Sequence, residues 1–343
     1  MRKYFVFWGI VTSLLIILLA GCSTTVAFDV LRPAEVNMAD YRKLAVFDYE
    51  PYKLSDENFA GKLIFNYVFG SHKIATSGYR IFLDDEIADY LTKCTIRALN
   101  DTDYFTIIPQ EQIRPSRAAS TSSSATDRML YENFGIDAAI VGSVEDMDYF
   151  EQIEEREITV PDGSTQTETF FVQGVELGIS YTVIDLKRGT IITTDYLSGR
   201  DSQSTLIKDP DSFSAPLLGP LYRGIARGFE SKISKRLAPY HVREYRTIKK
   251  DKTKDPRSDS AKKFIKDNLY KKALNLYLEM WCDSENFSAG FNAAIVYEVL
   301  GQFDSAISMM KDVYDSTGSP DAYKEYQRLI DVKKEYQRAA AQY

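Results

Sequence analysis

The chain has 343 residues and a formal net charge of −7 at pH 7, from 42 basic and 49 acidic residues. Hydrophobic residues make up 44% of the chain and aromatic residues 13%, which is enough apolar material for packed cores and excludes a disordered surface coat. The length allows two domains of ordinary size. The acidic excess speaks against nucleic-acid binding, which normally requires a basic surface.

The N-terminus has the layout of a secretory signal. Arg2 and Lys3 are followed by an almost wholly apolar run over residues 4–19. At about 16 residues, this run is shorter than the ~20 that a helix needs to cross a membrane. A cleaved signal is therefore favoured over a permanent span.

The tetrapeptide Leu-Ala-Gly-Cys that ends at Cys22 resembles the bacterial lipobox. This resemblance implies that residues 1–21 are a lipoprotein signal peptide and that Cys22 becomes a diacylglyceryl cysteine, which anchors the protein to a membrane. Ser23 stands where the retention rule would look for Asp, which indicates the outer membrane, facing the periplasm. The alternative is an ordinary signal, or an uncleaved anchor with a chance cysteine.

The first part of the mature chain reads as alternating strands and helices. Residues 22–42 are predicted to be an extended tether, 43–49 a buried strand, and 54–82 an insertion that packs on the sheet. A helix is predicted over 83–99, a strand over 104–109 and a second helix over 127–134. This alternation is typical of an α/β unit.

The cysteines that follow Cys22 are interpreted as buried thiols. Cys94 lies on the apolar stripe of the predicted helix over 83–99, together with Ile87, Leu91 and Ala98. Cys282 falls in a different predicted domain, so a disulfide between the two is not expected.

The next stretch is rich in strand signals. Residues 135–144 predict the entry to a central strand, and the Pro-Asp-Gly turn at 161–163 joins β-prone runs into a hairpin. A second hairpin is predicted over 176–199, because apolar and polar residues alternate in its first arm. A long amphipathic helix over 213–237 should cover the sheet.

This order of elements resembles the periplasmic domain of the curli-secretion-channel lipoprotein family, whose core is shared with outer-membrane assembly lipoproteins and penicillin-binding-protein activators. The resemblance rests on Gly135-Ile136-Asp137-Ala138-Ala139 before a β run and on Asp185-Leu186-Lys187-Arg188-Gly189 at the turn of the closing hairpin. It covers about residues 45–200 and the helix that follows. It implies an α/β domain over 43–242, with a sheet packed by helices.

One departure limits how much function the resemblance implies. The family's channel inserts hairpins of this domain into the membrane, and a lipid-facing hairpin needs arms of ~9–11 residues with unbroken apolar alternation. The corresponding stretch here carries Glu151, Glu154, Glu155, Arg156, Glu157, Gln166 and Glu168. The second candidate stretch, 201–212, is short and polar. We therefore predict a member of the family that forms no pore.

The C-terminal part changes in composition. Residues 243–260 are rich in Lys and Arg and predict a solvated linker, with contact to anionic headgroups or wall polymers as the alternative. Residues 261–343 predict a helical domain with an internal offset of 33, which pairs Tyr270 with Phe303 and Ala273 with Ala306. This pattern resembles the tetratricopeptide repeat. The alternative is a plain helical cap.

The repeat-like helices are expected to grip a protein partner. The residues predicted to contact it are Tyr270, Tyr277, Asn292, Tyr297 and Phe303.

Signals for catalysis are weak. Two acidic clusters are candidates for paired catalytic carboxylates. The cluster at 84–86 is better explained as the start of a helix, near the positive end of its dipole, and the cluster at 154–155 as part of a solvent-exposed face. Ser143 is not part of a Gly-x-Ser-x-Gly elbow, and His72 and His241 have no signalled partners. We expect no enzymatic activity, no cofactor and no metal ion.

The sequence therefore predicts a two-domain lipoprotein, with an α/β domain followed by an all-α helical-repeat domain. Its expected function is that of a non-enzymatic adaptor or assembly factor in the cell envelope, which binds protein partners and can self-associate into a homo-oligomer. The alternative is a ring-forming component of an outer-membrane secretion or transport system.

Overall fold

The computed structural model describes residues 24–52, 80–113, 123–161, 163–210 and 212–343. The predicted signal peptide and Cys22 lie outside these ranges, as do most of the predicted insertion over 54–82 and a serine-rich stretch before 123. The chain divides into two compact units. We call the described residues of 34–240 with 342–343 the α/β unit, and residues 24–33 with 241–341 the helical unit.

The elements confirm the predicted fold class, an α/β domain combined with a helical-repeat domain. In chain order they are β1 (Thr25–Arg32), β2 (Lys43–Val46), α1 (Arg80–Asn100), β3 (Thr106–Ile107), α2 (Ser123–Phe134), β4 (Ala138–Thr159), β5 (Thr165–Asp185), β6 (Thr190–Leu206), α3 (Gly219–Leu237), β7 (Tyr240–Thr247), α4 (Pro256–Lys266), α5 (Tyr270–Ser284), α6 (Phe287–Val299), α7 (Phe303–Thr317) and α8 (Pro320–Gln342).

The α/β unit is built on a five-stranded sheet with the order β3-β2-β4-β5-β6. β2 runs parallel to β3 and β4, whereas β4, β5 and β6 are antiparallel neighbours. The alternation predicted for β5 is present, because its apolar side chains are buried against α1 and α3. The buried residues of β5 are Leu177, Ile179, Tyr181 and Val183, and those of α3 include Ile225, Phe229, Ile233 and Leu237.

The helical stripe predicted for α1 is buried as well. Ile87, Leu91, Cys94 and Ala98 are each at most 5% exposed. Burial raises the pKa of the Cys94 thiol to about 12, so the group stays protonated and packs as a small apolar side chain. Cys282 is exposed, so the prediction of a buried thiol is wrong there. It lies off the buried stripe of α5, which holds Ala273, Tyr277 and Met280.

The aspartates of the two family-like motifs have structural roles. The Asp137 carboxylate accepts the backbone N–H groups of Arg42 and Lys43, at 2.9 and 2.8 Å, and so fixes the start of β2. Asp185 is 2% exposed and accepts the backbone N–H of Arg188, which organises the turn between β5 and β6. Burial alone would raise the pKa of Asp185, but hydrogen bonds from Arg188 and its neighbours lower it overall.

The two predicted hairpins are parts of one longer ribbon. β5 is a continuous strand of 21 residues that pairs with β4 from Ala138 to Thr159 and with β6 up to Leu206. The stretch predicted as a strand over 104–109 is reduced to β3, because Tyr104 and Phe105 turn into the core instead. We call β4, β5 and β6 together the ribbon.

The predicted tether and linker both contribute to the helical unit. β1 lies within the predicted tether and pairs with β7, which extends into the predicted linker over 243–260. α4 begins at Pro256, inside the same range. The prediction of a solvated linker is wrong there, because β7 pairs with β1, which is distant in the chain, and alternate residues of β7 are only partly exposed.

The helical unit repeats its backbone geometry at the predicted offset of 33. α5 and α7 start at Tyr270 and Phe303, and α6 and α8 start at Phe287 and Pro320. The residues that follow α5 and α7, Glu285 and Gly318, both adopt a left-handed conformation. Ala273 and Ala306, the paired small residues, are fully buried. Among the described residues, no helix has the length and apolarity that crossing a membrane requires.

Candidate interaction surfaces

Two aromatic side chains stand out on one face of the ribbon. Phe150 on β4 and Tyr196 on β6 are each 50% exposed. Gly174 and Gly178 on β5 lie beneath them, and a Cβ atom at either glycine would come well inside 3 Å of the ring above it or of its hydroxyl. The absence of these side chains lets the Phe150 ring and the Tyr196 hydroxyl lie close against the β5 backbone.

Charged side chains fill the row between the two rings. Asp148, Glu176 and Arg200 occupy paired positions on β4, β5 and β6. Arg200 forms an ion pair with Glu176 at 2.9 Å. The Tyr196 hydroxyl donates a 2.7 Å hydrogen bond to Asp146, and this bond raises the pKa of Tyr196.

We call this surface the ribbon face. It comprises Asp146, Asp148, Phe150, Glu176, Tyr196 and Arg200. A groove of about 650 Å³ opens beside it. Its lining residues are Asp148, Tyr149, Phe150, Val175, Glu176, Arg200, Asp201 and Ser202. Phe150 pairs with Gly174 and Tyr196 with Ser180, so the backbone positions of the two aromatic residues are ~20 Å apart along the strand. Two half-exposed rings on either side of an acidic row suit an extended partner that carries cationic groups.

The helical unit holds a segment of its own chain that is neither helix nor strand. We call residues 248–255, which connect β7 to α4, the strap. The Asn292 amide accepts the backbone N–H of Lys249 at 2.7 Å and donates to its carbonyl at 2.9 Å. Ser288, one turn earlier on α6, donates to the Lys250 carbonyl at 3.0 Å. Two polar side chains of α6 thus satisfy the backbone of the strap.

Side chains of the strap that point into the helical unit add to this hold. Ile248 is 4% exposed and belongs to the helical core. The Lys249 ammonium lies 4.5 Å from the centre of the Phe291 ring and 2.9 Å from Asp321. These contacts combine a cation–π interaction with an ion pair.

The carboxylate of Asp251 organises the turn of the strap. It accepts hydrogen bonds from the Asn286 amide at 2.9 Å, from the Thr253 backbone at 3.0 Å and from the Asp255 backbone at 2.8 Å. Burial alone would raise the pKa of Asp251, but these bonds outweigh it and lower the pKa to about 2. Asp255 then caps α4 by accepting the Arg257 N–H.

A buried charge network joins the strand pair to the helices of the same unit. Glu298 on α6 is 1% exposed and accepts two hydrogen bonds from Arg328 on α8, at 2.9 and 2.6 Å. Arg246 on β7 lies 3.4 Å from the same carboxylate, and Glu244 binds Arg32 of β1 at 2.7 Å. Removing one partner of such a network leaves a buried charge unpaired, so loss of Arg246 or Arg328 should destabilise the helical unit.

The residues predicted to contact a partner are not equivalent in the structure. Tyr277 and Asn292 are each 1% exposed, so neither is available to a partner, and both assignments are corrected to internal roles. Tyr277 packs in the helical core, and Asn292 holds the strap. Tyr270 and Tyr297 are half-buried. Phe303 packs against Tyr336, with ring centres 5.0 Å apart, beside a groove of about 400 Å³.

The sequence analysis did not predict that Ser288 and Asn292 bind the backbone of the strap. The signal was present, since Ser288 and Asn292 are four residues apart within the largely apolar first three turns of α6. Polar side chains at that spacing share one face of a helix and require partners when buried.

The serine considered for catalysis has ordinary polar neighbours. Ser143 donates to Glu145 at 2.5 Å and lies 2.9 Å from the Ser180 hydroxyl. The hydrogen bond from Ser143 is the main cause that lowers the pKa of Glu145. Within the described ranges, no group of three or more His, Cys, Asp or Glu side chains is arranged to hold a metal ion.

Comparison with known proteins shows partial likenesses to solved structures. No protein-family model and no curated protein matches this chain. Lipoprotein GNA1162 from Neisseria meningitidis is 12% identical, with 55% of this chain and 97% of that one covered, at a TM-score of 0.25. The PelC dodecamer from Paraburkholderia phytofirmans is 12% identical, with 62% and 99% covered, at 0.24. The hypothetical protein CT253 from Chlamydia trachomatis is 9% identical, with 57% and 96% covered, at 0.27.

These neighbours include a bacterial lipoprotein, but TM-scores of this size carry no argument about function. The resemblance to the curli-secretion-channel family stays a prediction.

Proposed function

We propose that this protein is a bacterial cell-envelope lipoprotein that acts as a non-enzymatic adaptor or assembly factor. A diacylglyceryl group on Cys22 holds it at the outer membrane, facing the periplasm, and the ribbon face binds a protein partner. The observation that carries the proposal is the pair of half-exposed rings, Phe150 and Tyr196, seated on glycines beside an acidic groove.

Physical considerations support a binding role for this face. Half of an aromatic side chain is about 100 Å² of apolar surface, and removing that area from water contributes about 2.5 kcal/mol. Interface residues that contribute most to affinity are commonly aromatic and stand within a polar surround. Phe150 and Tyr196 meet both conditions, with Asp148 and Glu176 between them.

Site-specific photo-cross-linking in intact cells tests this proposal. A cross-linking amino acid replaces Phe150 or Tyr196, and in a matched control it replaces Ile191, a 68% exposed apolar residue at the start of β6. We expect the same partner to be captured from positions 150 and 196 and not from 191. The double variant Phe150→Ser, Tyr196→Ser, probed from a cross-linker at position 148, should lose that partner. Equal capture from all positions, or capture that survives the double variant, contradicts the proposal.

A second function, a ring-forming component of a secretion or transport system, is favoured by one feature. Within the described residues, β6 is an edge strand of the sheet and is 17 residues long. An edge of this length offers unpaired backbone groups to a second copy. Native mass spectrometry of the acyl-free protein decides between the two functions. A closed ring of about eight or nine copies supports transport, and a monomer or dimer supports the adaptor.

A further inference from the structure

Three lysines of the strap form a cationic edge on the helical unit. Lys250, Lys252 and Lys254 are all exposed. Among the described residues, no carboxylate lies within ion-pair distance of them. The acidic residues that alternate with them are turned inward, since Asp251 is bonded to Asn286 and Asp255 caps α4. The fold therefore separates the charges of the strap and leaves its positive ones facing solvent.

The backbone holds this arrangement in place. Ser288 fixes the Lys250 carbonyl, and Asp251 accepts the Asp255 N–H across the turn. Lys254 adopts a φ of 65°, in the left-handed region that side-chain-bearing residues rarely occupy. The hydrogen bonds of Asp251 on either side of Lys254 keep it in that conformation.

The start of β1 places this edge close to the expected lipid anchor. The Thr24 carbonyl accepts the backbone N–H of Ile248 at 2.8 Å. Cys22 precedes Thr24 by only two residues, so its Cα lies at most ~7 Å from that of Thr24 along an extended chain. Acyl chains on Cys22 would consequently bring the beginning of the strap, next to Lys250, to the membrane surface.

We infer that Lys250, Lys252 and Lys254 bind the anionic phospholipid headgroups of the membrane to which the protein is anchored. This inference rests on the proposed lipid anchor at Cys22. The protein as a whole is acidic, with a net charge of −7. However, charges separated by more than a Debye length, about 10 Å, are largely screened. The anionic membrane surface therefore interacts mainly with the charges nearest to the anchor, which are those of the strap. This interaction orients the helical unit on the membrane.

Vesicle binding without the acyl chains tests the lysines directly. The chain that begins at Ser23, without the predicted signal peptide and the acylated cysteine, is mixed with phosphatidylcholine vesicles that do or do not contain phosphatidylglycerol, and the ratio of the two partition coefficients is measured. Each lysine near an anionic surface should contribute about fivefold to this ratio, and the three together about a hundredfold.

The decisive variant is Lys250→Gln, Lys252→Gln, Lys254→Gln, which should bring the ratio close to one. A matched control replaces three exposed lysines of the α/β unit, Lys93, Lys187 and Lys208, by Gln and should leave the ratio unchanged. Circular dichroism verifies that both variants are folded. A ratio that survives loss of the strap lysines, or that falls equally in the control, overturns the inference. Since this measurement uses protein without acyl chains, its outcome is separate from that of the anchor, which cell fractionation tests on a chain whose residues 1–22 are replaced by an ordinary cleavable signal.

Discussion

Replacing Gly290 by Ala should destabilise the helical unit, although the same change stabilises most helices. Gly290 lies within α6, where a Cβ atom would stand 2.5 Å from Cγ2 of Val313 on α7 and 2.6 Å from Cε3 of Trp281 on α5. Overpacking of this kind costs about 1–3 kcal/mol, and the better helix propensity of Ala returns about 1 kcal/mol. Because two separate helices must give way, we expect a net loss of about 1–2 kcal/mol.

Trp281 reports this change directly, since it is one of the two partners of the clash. The only other tryptophan is Trp8, so in a Trp8→Phe background the fluorescence signal belongs to the helical unit alone. With a urea slope of about 2 kcal/mol per molar, the unfolding midpoint of Gly290→Ala should fall by about 0.5–1 M.

The matched control is Gly228→Ala on α3, where a Cβ atom would meet no heavy atom within 4 Å. It should raise the stability of the α/β unit by about 1 kcal/mol, measured by circular dichroism, and leave the Trp281 transition unchanged. An unchanged or higher midpoint for Gly290→Ala would refute the close approach of the helices on which this reasoning depends.

Three further predictions concern the anchor and the strap. Replacing residues 1–22 by an ordinary secretory signal that is cleaved before Ser23 should move the protein from the membrane fraction to the soluble fraction of cells, and a variant that still sediments with membranes would contradict lipid anchoring. Asn292→Ala should lower the free energy of unfolding of the helical unit by about 1–3 kcal/mol, because the N–H and carbonyl of Lys249 lose their partner. An unchanged urea midpoint would show that water replaces the amide. The folded-state pKa of Asp251 is lowered from 3.8 to about 2, so the unfolded chain binds more protons between these values, and the stabilisation is present above pH 3.8 and lost as the pH falls towards 2. Asp251→Asn should remove at most about 2 kcal/mol, after solvent screening, of the loss in unfolding free energy that acid causes between these pH values. If the variant and the original protein lose the same amount of stability there, Asp251 is not the cause.

Local patterns predicted much of the architecture. The stripe of Ile87, Leu91 and Cys94 predicted a buried helix face, and the alternation in β5 predicted which side of the sheet is covered. Such periodic signals are repeated many times within one element and depend little on distant residues. The offset of 33 between Tyr270 and Phe303 also recurs in the helix boundaries, because each helix pair repeats the same local turn.

Elements without a period of their own were predicted poorly. The stretch before β2 and the basic stretch after β7 were interpreted as tether and linker, yet they form β1, β7 and the strap. Contacts between residues far apart in the chain hold these segments in place. Glu298 pairs with Arg246 of β7, Asn292 binds the backbone of Lys249, and Asp251 of the strap binds the Asn286 amide. A basic composition alone predicts a solvated segment. It does not indicate that the carboxylates of Asp251 and Asp255 are turned inward and bonded to the helical unit.

The sequence by itself predicted the two-part architecture, the repeat offset and the anchor at Cys22, because each of these depends on short local patterns of residue types. Only the tertiary structure decided which residues remain available for binding. It placed Tyr277 and Asn292 in the interior, brought Phe150 and Tyr196 onto one face of the ribbon, and set Lys250 two residues beyond the partner of Thr24. The physical reason is that availability depends on strand register and on helix packing, which join residues far apart in the chain.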